Sequence, residues 1–251
     1  MSTSLVISGC CGRMGMRIAT LALADSVYTL AGALEARGHQ AIGQDVGPLL
    51  GLKPLGVRVT DDVAQALAAG DVLIEFTRPE PTLEHLQIAR RLKKPMVIGT
   101  TGFSYAEQQH IRDVAHDIAI VFSPNMSVGV NVLFQLVQNA AACLGPEYDV
   151  AIVEAHHRGK QDAPSGTAKR LSEVVADMRP AAAKPVEVQS VRAGDIVGDH
   201  TVIFAGPAER LELTHRAHSR DAFATGALKA AQFVRAQKPG LYDMSHVLQR
   251  A

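Results

Sequence analysis

The stretch Gly9-Cys10-Cys11-Gly12-Arg13-Met14-Gly15 decides how the rest of the chain is read. It follows a short apolar run, Leu5–Ser8, that reads as a buried strand. It opens Arg13–Ala24, which reads as a helix. Glycines at such a junction let the backbone turn tightly and approach a pyrophosphate, which then sits at the positive end of the helix dipole. The spacing is G-x-x-G-x-x-G rather than the stricter G-x-G-x-x-G, so the motif alone also fits a glycine-rich turn with no ligand. Its surroundings argue for a ligand. Glu35 ends the second apolar run, about 20 residues on, where a carboxylate can take ribose hydroxyls.

Outward from this stretch the pattern repeats. Tyr28–Glu35, Asp71–Phe76, Pro95–Gly99 and Ile118–Phe122 read as further buried strands. Asp61–Ala69, Glu80–Leu92 and Ser104–Asp117 read as helices between them, and Arg37–Arg58 as a loop or irregular excursion. Alternating strands and helices predict an α/β fold with a doubly wound parallel sheet. After Asn125 the rhythm changes. Val128–Leu144 is a long apolar helix, Asp149–Glu154 a strand and Thr167–Arg179 a helix. Val186–Val191, Thr201–Ala205 and Arg210–Thr214 alternate at period two, as half-exposed antiparallel strands do, and Ala222–Ala236 is helical again. A second, smaller α+β domain is expected.

Composition excludes several function classes. The 251 residues carry 25 Lys plus Arg against 25 Asp plus Glu, a formal charge of zero. A phosphate-gripping surface needs a basic excess, so nucleic acid is not an expected partner. Aromatics at 4% with no Trp argue against a base-stacking platform. No apolar run approaches the roughly 18 residues that cross a bilayer, and the start lacks a secretory signal. Cys10, Cys11 and Cys143 form neither a disulfide framework nor a zinc motif. The expectation is a reduced, cytoplasmic protein without metal or membrane.

Three further segments carry chemistry. Gly99-Thr100-Thr101-Gly102 and Ser123-Pro124-Asn125-Met126 each follow a strand, where open α/β sheets bind ligands; either alone is also an ordinary turn. The third runs Glu154-Ala155-His156-His157-Arg158-Gly159-Lys160-Gln161-Asp162-Ala163-Pro164-Ser165-Gly166-Thr167-Ala168. Two histidines and a lysine offer protons near neutral pH, and Pro-Ser-Gly-Thr opens a helix whose free N–H groups suit a carboxylate. The bland alternative is a polar surface loop with a helix cap.

Together these segments resemble dihydrodipicolinate reductase, over essentially the whole chain. The resemblance implies a Rossmann-like domain, 1–126 and 221–251, with a substrate-binding and oligomerisation domain, 127–220, inserted before the C-terminal helices. It implies hydride transfer from NADH or NADPH to a cyclic unsaturated dicarboxylate, in the diaminopimelate route to lysine, by a homotetramer. His156 is then the proton donor and Lys160 a second catalytic group, while His157, Gly166 and Thr167 hold the substrate. The cofactor lies along Gly9, Cys10, Cys11, Gly12, Arg13, Met14, Glu35, Gly99, Thr100, Thr101, Ser123, Pro124, Asn125 and Met126.

The chain departs from the family in three places. Ala36 stands where many members have an arginine for a 2′-phosphate. NADH use is therefore expected, with Arg37 and Arg13 as side chains able to compensate. Cys10 and Cys11 replace small residues, either as compact packing or as thiols sensitised by the helix terminus. The region Ala181–Val191 is shorter than usual. Arg90, Arg91, Lys93 and Lys94 complement a helix end. Two other readings remain: another two-domain dehydrogenase of amino or imino acids, and a dinucleotide-sensing protein without turnover.

Overall fold

Leu5, Val6 and Ile7 are wholly buried, as befits a strand in the middle of a sheet. In the computed structural model, which describes residues 2–180 and 184–249, β1 (Thr3–Ser8) has a parallel neighbour on each side. The chain continues through α1 (Arg13–Leu23), β2 (Tyr28–Leu34), α2 (Val46–Leu49), β3 (Val59–Thr60), α3 (Val63–Ala69) and β4 (Val72–Glu75). It goes on to α4 (Pro79–Leu92), β5 (Met96–Ile98), α5 (Tyr105–Val114) and β6 (Ala119–Phe122). Then come α6 (Val128–Leu144), β7 (Asp149–His156), α7 (Gly166–Asp177), β8 (Glu187–Arg192), β9 (Asp199–Ala205) and β10 (Arg210–Arg216). α8 (Asp221–Val234), β11 (Gly240–Tyr242) and α9 (Met244–Leu248) close it.

The chain divides into two units, one reaching Met126 and resuming at Phe223, the other Ser127–Ala222. The first holds a seven-stranded sheet ordered β11-β6-β5-β4-β1-β2-β3, every pair parallel. β4 and β5 are buried at every position, odd and even, so helices cover both faces. The strand order reverses between β1 and β4, the switch point at which such sheets open a crevice at their carboxyl ends.

Local chemistry sets the helix ends. Ser104 and Glu107 form a reciprocal capping box on α5, and Asp62 caps α3. α4 has proline in its first turn and stops at Lys93, in a left-handed conformation with φ 54°. Of the cations near that end, Arg90 pairs with Asp117 at 2.6 Å and Lys94 donates to the Gly70 carbonyl at 2.7 Å. The stretch 37–58 contains the single-turn α2, whose cap Asp45 accepts from Gly47, Leu55 and Gly56.

The second unit has a four-stranded sheet ordered β10-β9-β7-β8, with α6 and α7 over one face. Ile152, Leu171, Val175, Val202 and Phe204 form its core. Along β9, buried and half-buried residues alternate. One expectation is corrected here. β8 runs parallel to β7, not antiparallel. The connection passes through α7, a helical crossover that returns the chain to the end from which it started. Period two reveals an open face but carries no strand direction. The short strands β3 and β11 are likewise absent from the sequence reading, because two or three residues are too few to show a period.

Candidate active site

The glycine loop is built for close approach. Gly9 has φ +68°, a left-handed conformation that glycine adopts without penalty, and the Gly12 N–H closes the turn on the Gly9 carbonyl at 2.9 Å. A Cβ on Gly15 would lie 2.1 Å from the Gly9 carbonyl oxygen, so only glycine fits. Gly12 is the N-cap of α1 and no side chain caps that helix. Its first N–H groups are thus left for a ligand, which is what an anion site requires. Gly12 and Arg13 are exposed and Met14 half-buried.

Glu35 locks this loop. Its two carboxylate oxygens accept from the backbone N–H of Cys11 at 2.8 Å and of Ala36 at 3.1 Å. Cys10, Cys11 and Glu35 bring donor atoms within 4.8 Å of one another, a set able to hold a metal ion. Those backbone bonds and the burial of Cys10 fit a structural role for the three. Burial, the largest influence, pushes both thiols up. Beyond Cys11 lies a cavity of about 180 Å³, bounded also by Met16, His39 and Leu49. The irregular stretch after β2 therefore supplies a pocket wall, which its lack of period concealed.

Gly99 and Thr100 follow β5, and Ser123 follows β6, at the same carboxyl edge. Thr100 is buried; its Oγ1 accepts from the Thr77 N–H and from the Thr82 hydroxyl, each at 3.0 Å. Thr77 also donates to Glu75, which is fully buried and bonds His85 at 2.7 Å. Thr101 is exposed. Ser123 donates to the Asn125 carbonyl at 2.9 Å, Pro124 is exposed, and Met126 is buried under Gly226. The Glu75–Thr77–Thr82–His85 cluster behind Thr100 spans the end of β4, the loop after it and α4, and no spacing in the sequence announces it.

In the second unit, β7 ends in Glu154 and His156, whose side chains share a face at period two. Glu154 is wholly buried and every lone pair has a partner. Oε2 bonds His156 Nδ1 at 2.5 Å and Arg192 Nη1 at 2.8 Å; Oε1 bonds Arg192 Nη2 at 2.7 Å and the Ser165 N–H at 3.2 Å. Burial alone would raise this carboxyl, but the bonds from Arg192, Ser190 and His156 outweigh it and hold it at about 2. Burial lowers His156; the Glu154 bond opposes this, while Lys160 and Arg192 reinforce it.

The rest of the segment surrounds that pair. Lys160 meets Asp162 at 2.8 Å, and His157 is half-buried. Ser165 caps α7 by accepting from the Ala168 N–H, leaving exposed Gly166 and half-buried Thr167 in the first turn. A Cβ on Gly166 would meet nothing within 4 Å. Three participants escape sequence reasoning. Arg192 stands opposite His156 in the parallel register. His200 packs edge-on against His156 and bonds Ser165 Oγ at 3.1 Å, and burial lowers it to about 3. Gly198 borders the other ring nitrogen: a Cβ there would lie 3.1 Å from His156 Nε2.

Two family models match the chain, "Dihydrodipicolinate reductase, N-terminus" over residues 3–126 and "Dihydrodipicolinate reductase, C-terminus" over residues 129–248. The 4-hydroxy-tetrahydrodipicolinate reductase of Nitrosomonas europaea is 50% identical, over 98% of this chain and 97% of that protein. That of Syntrophus aciditrophicus is 45% identical, over 97% of each. Both alignments, of 263 and 260 positions, exceed the 251 residues here, so these relatives carry residues that this chain lacks. Among solved structures, dipicolinate-bound dihydrodipicolinate reductase from Paenisporosarcina sp. TG-14 has the same fold, with TM-score 0.80 and 24% identity over 97% of this chain and 98% of that one. An amine dehydrogenase from Mycobacterium smegmatis shares the fold at TM-score 0.66 and 17% identity, over 96% and 94%. Matched from residue 3 to residue 248 and nearly half identical to such relatives, the chain belongs to the dihydrodipicolinate reductase family.

Proposed function

We propose that this chain carries out the 4-hydroxy-tetrahydrodipicolinate reductase reaction, with NADH as the favoured reductant, on a dicarboxylate held by the second unit. The single observation that carries the reading is one buried carboxylate, Glu154, bonded both to His156 and to the residue that caps α7. It ties a proton carrier to a helix terminus with open space at Gly166. Such a terminus suits a substrate carboxylate, with Lys160 and His157 as its cationic neighbours.

When bound, the reduced nicotinamide supplies a hydride. The residues of this chain supply the rest. Hydride addition to a conjugated ring leaves negative charge, which an acid must quench. Glu154, held ionised, accepts a hydrogen bond from Nδ1 of His156, so Nε2 is the nitrogen left to serve the substrate. Burial lowers the proton affinity of His156 in the free protein and the Glu154 carboxylate at Nδ1 opposes this, which suits the ring to hand a proton from Nε2 to the substrate. Lys160 and the first N–H groups of α7 hold that dianion.

The glycine loop fits the cofactor because Gly15 leaves no room for a Cβ and α1 begins uncapped. Gly9 to Met14, Gly99 to Thr101 and Ser123 to Met126 would line it, with Glu35 toward the ribose. Glu35 disfavours a 2′-phosphate, Ala36 offers no cation, and Arg37 is almost wholly exposed, 3.9 Å from Asp61. The oligomer is a homotetramer built on the open face of the second sheet. The shortened region 181–191, of which 181–183 lie outside the described residues, includes most of β8. Light scattering that returns the mass of a single chain would remove the tetramer. No described helix is long and apolar enough to cross a membrane.

The test is oxidation of NADH and of NADPH in the presence of the dihydrodipicolinate synthase product. Oxidation that requires the product is expected, with kcat/KM higher for NADH. No turnover with either cofactor removes the reading; a strong NADPH preference overturns the cofactor assignment alone. The broader dehydrogenase and the non-catalytic sensor are not favoured, since neither has use for the segment from His156 to Thr167.

A further inference from the structure

We propose that Glu154, clamped by Arg192, is the positioning residue for His156: it fixes the imidazole with Nδ1 protonated and Nε2 presented, and Arg192 anchors the loop that carries Lys160. The inference rests on His156 being the proton donor. It stands on geometry that crosses three parts of the second unit. Glu154 and His156 lie two apart on β7, so their side chains leave the same face. Arg192 ends β8 directly opposite His156, a placement that follows from the parallel pairing of the two strands. From there its guanidinium forks onto both oxygens of Glu154 at 2.7 and 2.8 Å. The same Nη2 also donates to the Asp162 carbonyl at 2.5 Å, and Asp162 in turn holds Lys160 at 2.8 Å.

One carboxylate thus organises three things. It orients the ring of His156, it accepts from the N–H of Ser165 at the start of α7, and through Arg192 it tethers the loop between them. No lone pair of Glu154 is left to act on a substrate, so its action passes through His156. An ionised acceptor at Nδ1 also stabilises the imidazolium once it forms, as an orienting carboxylate does in other acid–base sites. The charged and titratable groups around the pair are Arg192 from β8, Lys160 and Asp162 from the loop, and His200 from β9.

The substitution Glu154→Gln keeps the shape and removes the charge. Expected is a fall in kcat of about a hundredfold or more with KM changed by less than about threefold. The pH at which kcat is lost on the alkaline side, where His156 gives up its proton, should also move down by about one unit or more. A merely structural role would lower Tm without moving that limb. An unchanged limb and kcat in a folded Glu154→Gln variant overturn the proposal. In parallel, nitrogen-detected NMR of the parent protein, compared with His156→Ala, reports the tautomer without needing the Glu154 variant to fold. A proton on Nδ1 is expected in the neutral ring; a proton on Nε2 overturns the proposal. Near-parental turnover in His156→Ala would instead sink the reading on which it rests, so the two failures are distinguishable.

Discussion

Two helices in this molecule begin at a proposed ligand site, and they are made in opposite ways. α1 opens on Gly12 with no side-chain cap, and its loop is shaped by backbone alone: a left-handed Gly9, a Gly15 with no room for Cβ. α7 opens on Ser165, capped, with its preceding loop tied to Glu154, Arg192 and His200 through side chains. The first solves a problem of approach, since a pyrophosphate needs only N–H groups and space. On the proposed function the second must also deliver a proton to one atom, and a proton carrier has to be oriented by groups that are themselves held. Glycine suits the former task; a buried, fully bonded carboxylate suits the latter.

The largest effect expected from attacking this contrast is at the second site. His156→Ala should lower turnover by roughly 10²–10⁴ while cofactor binding, measured by nicotinamide fluorescence, stays at the parental value. Retained turnover would remove His156 from the chemistry. Next is Gly15→Ala, which drives a methyl into the Gly9 carbonyl at 2.1 Å. It should cost about 1–3 kcal/mol in urea denaturation and weaken the cofactor with it. Unaltered stability and affinity would mean that the loop yields easily and close approach is not its purpose.

Gly166→Ala sharpens the comparison from the other side, because that methyl meets nothing within 4 Å. Stability should hold or rise slightly. The substrate KM should rise by roughly tenfold, about 1.4 kcal/mol, if a carboxylate occupies the space. An unchanged KM would place the substrate elsewhere. The smallest effect is on stability against pH. His200 is lowered by burial to about 3 from an ordinary 6.5, so the unfolded chain binds the proton more readily across that window. Its contribution is complete above about 6.5 and is lost as pH falls toward 3. Glu154, lowered to about 2, adds a loss in the same direction below about 4.5. The urea midpoint should therefore fall from pH 7 to pH 4, less steeply in His200→Gln; equal slopes would show that the imidazole is not the source.

Much of the first unit was legible because its constraints are local. A glycine with positive φ, a serine and glutamate three apart, and a run of Val and Ile each restrict their own neighbours. β1, the loop at 9–15 and the helix α5 were read on that basis, while the α5 capping box came from the structure. The second site was legible only as an inventory. His156, Lys160 and Thr167 were named from residue type and family likeness, but not what holds them. Arg192 lies 36 residues beyond His156, in a strand whose direction was read wrongly. With β8 antiparallel, nothing in the pattern brings its last residue to Glu154. His200 and Gly198 were hidden because they precede the period-two run read at Thr201–Ala205, and the buried Glu75 network because side-chain bonds from α4 to the end of β4, not a residue spacing, bring it together.

By itself, then, the sequence determined what each short segment can do: where the backbone turns, which faces are apolar, and which side chains can carry a proton or admit an anion. Those are properties of residues and of neighbours a few positions apart. The tertiary structure alone decided which carboxylate is buried beside which imidazole, and which guanidinium holds both. Such pairings depend on register between strands, and a period of two residues fixes the face of a strand without fixing its direction or its partner.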